Sequence, residues 1–317
     1  MKSLLFTFLL LGLFFPLQYS FGQASVTNKK LQILPHATNF LVVGDWGRNG
    51  QYHQKDVAIE MNKESARTGA QFVLSTGDNF YENGVESIDD PQFMSSYENV
   101  YTGADLEINW YLALGNHDYM GNVQAEIDYT QKSRRWNMPS RYYTVTKHLA
   151  DGKGDLQIFV IDTSPLIRKY HHEEKYHNVI GQDTAAQMKW LTEELAKSKA
   201  RWKIVIGHHP VYSSIGTDVP DYFQHRFTRL FNKYHVDAYF CGHEHNLEYL
   251  KPAKGNTRYF LSGAGSQVEA VGHDKVARYA KSVAGFMVVS LTGKKMLVQF
   301  VDYKGDILKV VTITKKG

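Results

Sequence analysis

A single cysteine, Cys241, stands in 317 residues, so no disulfide can form within the chain. No cysteine lies near the N-terminus, which excludes a lipid-modified cysteine there, and no Asn-x-Ser/Thr acceptor occurs that would take an N-linked glycan. After the first 17 residues no apolar run is long enough to cross a bilayer. Internal repeats, low-complexity stretches and Pro/Gly/Ser-rich linkers are also missing, so one domain is expected rather than several. Charge of either sign is never concentrated. The net charge is +4, the Lys and Arg are scattered, and no basic stripe with interleaved aromatics forms a nucleic-acid-binding signature.

What is present is ordinary in bulk and unusual in detail. With 43% hydrophobic and 21% charged residues the chain has the composition of a globular protein. Lys2 precedes an almost wholly apolar run from Leu4 to Leu17. Ser20 and Gly22 then supply the small residues that precede a cleavage site, so residues 1–22 read as a signal peptide and 23–37 as a polar leader. Export without disulfides or glycan acceptors points to a secreted or periplasmic protein of bacterial type, with no membrane span in the mature chain.

Short apolar runs end repeatedly in polar turns. Asn39 to Val43 stops at Gly44-Asp45-Trp46-Gly47; Gln71 to Ser75 stops just before Gly77-Asp78-Asn79-Phe80-Tyr81; Trp110 to Leu114 stops at Gly115-Asn116-His117-Asp118. Lys203 to Ile206 ends in Gly207-His208-His209-Pro210, and Ala238 to Phe240 leads into Cys241-Gly242-His243-Glu244-His245. Helical spacing predicts helices around Val57–Met61, ending near Gly69, over Thr184–Ala200 with Asp183 or Thr184 as N-cap, and over Tyr222–Tyr234. Alternating residues from Phe286 to Val301 and from Ile307 to Ile313, with Gly293 and Gly305 between, predict closing hairpins. Together these give an α/β fold with a largely parallel sheet, whose ligands gather at the carboxyl ends of the strands.

Each turn has an ordinary explanation taken alone, since Gly-Asp is a common turn pair and a histidine after a strand is usually structural. Taken together they bring carboxylate and amide oxygens, imidazoles and a phenol to one sheet edge. That mixed oxygen and nitrogen set fits Fe, Mn or Zn rather than Ca or a thiolate-bound metal.

These five blocks, in this order, resemble the purple acid phosphatases within the calcineurin-like metallophosphoesterases, over residue 38 to about Leu247. Gly207-His208-His209-Pro210-Val211-Tyr212-Ser213 is similar to the short, mammalian-type tartrate-resistant enzymes. The resemblance implies a four-layer α/β/β/α sandwich of two mixed β-sheets flanked by helices, in one domain over 38–317. It implies Fe(III) held by Asp45, Tyr81 and His245, a divalent ion (Fe, Zn or Mn) held by Asn116, His208 and His243, and Asp78 bridging the two. His117 is then the catalytic imidazole, and Asn116, His117 and His209 face substrate. A trivalent and a divalent ion carry five positive charges and the two carboxylates and phenolate return three, leaving a site near roughly +2 for a phosphate dianion. Such a pair clamps the phosphoryl group and supplies hydroxide for in-line attack on a phosphomonoester.

The chain departs from that pattern at two positions. Thr217 stands where the mammalian-type enzymes have a second substrate-side histidine, and His209 stands where they have tyrosine. A replacement acid would come from His209 or from the loop carrying His171, His172, Glu173, Glu174 and His177, which otherwise reads as solvated surface. The expectation is therefore a monomeric, secreted acid phosphatase acting on small phosphate esters. Two readings remain open beside it: a phosphodiesterase or nucleotide hydrolase of the same superfamily, and a non-catalytic phosphate- or metal-binding protein.

Overall fold

The computed structural model describes residues 30–215 and 220–315. The proposed signal peptide and Thr217 lie outside the described residues. In chain order the elements are β1 (Thr38–Val43), α1 (Gln54–Thr68), β2 (Phe72–Ser75), β3 (Asn109–Leu112), α2 (Val123–Asp128), β4 (Trp136–Asn137), β5 (Tyr143–His148), β6 (Asp155–Val160), α3 (Thr184–Lys197), β7 (Trp202–Ile206), α4 (Asp221–Lys233), β8 (Ala238–Cys241), β9 (Leu247–Leu250), β10 (Arg258–Ser262), β11 (Ala277–Lys281), β12 (Gly285–Leu291), β13 (Lys295–Asp302) and β14 (Ile307–Thr314).

Two seven-stranded mixed sheets result, in the orders β14-β13-β12-β1-β2-β3-β4 and β11-β9-β10-β8-β7-β6-β5. β1, β2, β3 and β4 run parallel, as do β6, β7, β8 and β10. The C-terminal hairpins join the first sheet by pairing β12 antiparallel to β1, so both ends of the described chain build one layer. The sheets face each other across a core in which Ser262 Oγ donates to the Val42 carbonyl at 3.1 Å and the rings of Phe260 and Phe300 stand 6.3 Å apart. Because β1, β2, β7 and β8 are buried on both faces, they read as continuous apolar runs rather than alternations.

The helices form for local reasons and pack for tertiary ones. α1 buries Val57, Ala58, Met61 and Ser65 and ends where Gly69 takes a left-handed φ of 62° and donates to the Ser65 carbonyl. α3 starts at Asp183, whose carboxylate accepts from the Ala186 N–H. α4 buries Phe223, Phe227 and Phe231, the last packed 5.4 Å from Tyr239 of β8, so its aromatic stripe is core. The four-layer sandwich agrees with the expected fold. Strands β4, β5, β9, β10 and β11 were not anticipated, being two to six residues long and lacking a clean period. The loop after β6, expected as solvated surface, instead forms tight turns over Ser164–Leu166, Arg168–His172 and Glu174–Val179 that bury Tyr170, Tyr176 and Val179.

Candidate metal centre

The carboxyl ends of β1, β2 and β3 in one sheet and of β7 and β8 in the other meet at a single edge, and the five polar turns converge there. Close approach requires very tight backbone. A Cβ on Gly77, whose φ is +99°, would lie 2.8 Å from His208 Nδ1 and 2.9 Å from the Gly115 nitrogen; one on Gly242 would lie 2.1 Å from Asp45 Oδ2. Asp45, Asp78 and His243 hold left-handed φ values of 58°, 50° and 76°, which non-glycine residues rarely adopt. Strain of that kind collects where side chains must be aimed, and here three of the expected ligands carry it.

The donor atoms fall into two groups sharing one oxygen. In the first, Tyr81 Oη lies 3.1 Å from Asp45 Oδ1, 2.9 Å from Asp78 Oδ2 and 3.0 Å from His245 Nε2. In the second, Asn116 Oδ1 lies 3.0 Å from His208 Nε2 and 2.9 Å from His243 Nδ1, while His208 Nε2 is 3.3 Å from Asp78 Oδ2. Neighbouring ligands around an ion with bonds near 2.1 Å stand about 3.0 Å apart, so both groups have the spacing of coordination shells. Asp78 Oδ2 belongs to both. The residues present therefore fit a pair of metal ions, and Asp45, Asp78 and His208 together can offer ligand atoms within 4.8 Å of one another.

The electrostatics agree with that fit. Burial and then the charges of Asp45 and Asp78 push the Tyr81 phenol well above its ordinary value, so it ionises only beside a strong cation. Arg48 assists, its guanidinium carbon 3.7 Å from the Tyr81 ring centre. Burial pulls His208 down, but Asp78 outweighs it by charge and hydrogen bond and lifts His208 to about 9; burial and the charge of His208 press His243 down to about 3. One imidazole thus carries the positive charge that a bound cation would take over. The His208 Nδ1 donates to the Thr76 carbonyl at 3.0 Å, which fixes the ring with Nε2 turned toward the other donors. On the other side the Glu269 carboxylate stands 3.7 Å from His245 Nδ1.

The remaining expected residues are placed differently from one another. His117 is half-buried; its backbone N–H donates to Asp78 Oδ1 at 2.8 Å and its Nδ1 to the Glu82 carbonyl at 2.5 Å. Its Nε2 has no hydrogen-bond partner among the described residues. His209 is fully buried, with Nδ1 2.8 Å from Thr163 Oγ1 and Nε2 2.9 Å from Tyr170 Oη, so as it stands it presents no free ring nitrogen to a substrate. Burial and two neighbouring histidines hold it well below the usual imidazole range, hence neutral. His172, Glu174 and His177 are exposed and His171 and Glu173 half-buried, whereas the tyrosines of the same loop turn inward.

Several supporting residues escaped the sequence reading. Asp118 accepts from the backbone of Asn79, Phe80 and Gly115 at 2.8, 3.1 and 2.8 Å and so ties two ligand-bearing turns together. Behind them Trp46 Nε1 donates to Ser75 Oγ, which donates to Asn79 Oδ1, inside a cage of Phe80, Tyr97, Tyr101, Trp110 and Trp136. Tyr176 Oη accepts from Asn116 Nδ2 at 3.2 Å. Trp46, Asn79, Phe80 and Asp118 stand inside the polar turns, which was their only signal; Tyr176 and the rest of the aromatic cage had none.

Comparison with known proteins gives the same grouping. The calcineurin-like phosphoesterase family model matches residues 38–247. The chain is 34% identical over 284 residues to purple acid phosphatase 3 of Arabidopsis thaliana, covering 85% of this chain and 76% of that one. It is 35% identical over 296 residues to the tartrate-resistant acid phosphatase type 5 of Homo sapiens, covering 86% and 89%. Among solved structures, GAP50, the anchor in the inner membrane complex of Plasmodium, superposes with a TM-score of 0.77 at 24% identity over 89% of this chain and 90% of that one, a likeness of fold.

Proposed function

The chain belongs to the purple acid phosphatases of the calcineurin-like phosphoesterase family, which makes it a metal-dependent acid phosphatase with a dimetal centre, and from that premise we propose how its own residues divide the work. The substrate is a small phosphomonoester and the reaction an in-line displacement at phosphorus by a water-derived hydroxide. Asp45, Asp78, Tyr81 and His245 hold Fe(III); Asp78, Asn116, His208 and His243 hold a divalent ion. The observation that carries this reading is Asp78 Oδ2, which stands 2.9 Å from Tyr81 Oη and 3.3 Å from His208 Nε2 and so belongs to both donor groups. When bound, the ion pair neutralises phosphoryl charge and makes a water acidic enough to attack.

The protein groups do the rest. Tyr81, Asp45 and Asp78 supply negative charge that selects a highly charged ion in the first position. His208 is oriented by the Thr76 carbonyl, and the Glu269 carboxylate faces His245 at 3.7 Å. His117 is anchored through Nδ1 to Glu82, leaving Nε2 to hold a proton for the departing alkoxide. His209, neutral and enclosed between Thr163 and Tyr170, backs the site, so the direct substrate contact expected for it is not part of this reading. The apolar leader at residues 4–17 supports secretion.

Hydrolysis of p-nitrophenyl phosphate and of bis(p-nitrophenyl) phosphate by metal-loaded protein tests the reading. The monoester is expected to turn over faster. Faster turnover of the diester would move the activity to phosphodiesters, and no hydrolysis of either would leave a binding protein.

A further inference from the structure

Asn116, in the turn after β3, meets a side chain that the proposed metal ligands do not include, Tyr176. The wall there is built by the turns after β6. Tyr176 is 4% exposed, its ring packs 4.1 Å from that of Tyr170, and Tyr170 Oη meets His209 Nε2, whose other nitrogen meets Thr163. The turn itself is pinned where Asn178 Nδ2 donates to the Gly121 carbonyl at 2.6 Å. Tyr176 is thus a preorganised side chain on a packed wall.

Its hydroxyl is half used. Tyr176 Oη accepts from Asn116 Nδ2 at 3.2 Å, and among the described residues nothing accepts its own O–H. The same contact decides which way the Asn116 amide faces: the nitrogen is turned to Tyr176, so the oxygen is turned to His208 and His243 at 3.0 and 2.9 Å. A phenol in this position therefore does two things at once. It sets the amide oxygen toward the cation side and keeps one O–H to donate.

Resting on the phosphatase reading above, we propose that Tyr176 is a substrate-binding residue whose O–H donates to a phosphoryl oxygen. The exposed histidines of the same loop take no part. The ligand class is a phosphate monoester or free inorganic phosphate, bound by the same contact.

The test uses inorganic phosphate as the probe, titrated calorimetrically into metal-loaded wild type and Tyr176→Phe, with metal content measured on the same samples. The substitution removes one oxygen and keeps the ring stack. Phosphate binding is expected to weaken about 10- to 100-fold with both metals retained, since a hydrogen bond to a charged group is lost, and kcat/KM for p-nitrophenyl phosphate should fall by a similar factor. Tyr176→His, which returns a ring N–H, is expected to bind phosphate more tightly than Tyr176→Phe and serves also if the latter folds poorly. Unchanged phosphate affinity in Tyr176→Phe, equal losses in the two variants, or a loss accounted for by a missing metal would each overturn the inference while leaving the phosphatase reading standing. Wild-type protein that takes up two metals but neither binds phosphate nor hydrolyses the ester would overturn both.

Discussion

The two sides of the candidate site are made in opposite ways. Its floor consists of side chains carried on turns at strand ends, held in left-handed backbone at Asp45, Asp78 and His243 and backed by the Trp46 aromatic cage. Its wall, from Ser164 to Val179, has no extended secondary structure and is held by side-chain contacts: Tyr176 to Asn116, Tyr170 to His209, Asn178 to Gly121. A floor whose geometry is fixed by backbone can tolerate few substitutions, whereas a wall fixed by hydrogen bonds can change one partner and keep its shape.

That contrast can be broken experimentally. The largest effect belongs to the floor. Asp78→Ala removes the shared oxygen, and metal content should drop from two ions per chain with activity falling on the order of 10³-fold or more; a variant that keeps both metals and most activity would refute the bridge. On the floor but outside the ligand set, His117→Asn should lower kcat by about 10²-fold with both metals retained, because it removes a proton donor and no proposed ligand; loss of metal instead would make His117 one of the residues that hold the pair. The smallest effect lies beneath the wall, at Asp162, where β6 ends. Burial pushes this carboxyl up to about 7 although it accepts the Tyr119 hydroxyl. A folded-state value raised above the ordinary 3.8 means that the native protein favours the protonated acid, so the stability it contributes is full at low pH and is lost as pH rises toward 7. Asp162→Asn, which mimics the neutral acid, should therefore raise the thermal midpoint at pH 8 by on the order of 2–4 °C and leave it unchanged near pH 4. A shift of equal size at both pH values would deny the titration its part.

The same division governs what could be read in the amino-acid sequence. The floor was legible because its chemistry demands particular residue types immediately after strands, and the strands announce themselves as apolar runs: Phe72 to Ser75 before Asp78, Ile204 to Ile206 before His208. The helices at Gln54–Thr68 and Thr184–Lys197 were legible from spacing and from Gly69 and Asp183 at their ends. The wall was not. Its segment mixes His, Glu and Tyr without a period, and only packing against neighbouring turns and loops decides that Tyr170 and Tyr176 point in while His172 and His177 point out. Asp118 stood in view inside the third polar turn, but its task was not legible, since it accepts backbone N–H groups from its own turn and from the Asn79–Phe80 turn that only folding brings beside it.

Tyr81 makes the floor's claim most specific. Its hydroxyl lies within 3.1 Å of Asp45, Asp78 and His245 and is held protonated unless a strong cation stands beside it. Metal analysis of the purified protein combined with its visible spectrum tests this directly. Two metal ions per chain, one of them iron, with a phenolate-to-iron charge-transfer band that disappears in Tyr81→Phe, is the predicted result; a colourless, fully active wild type holding two zinc or two manganese ions would contradict it.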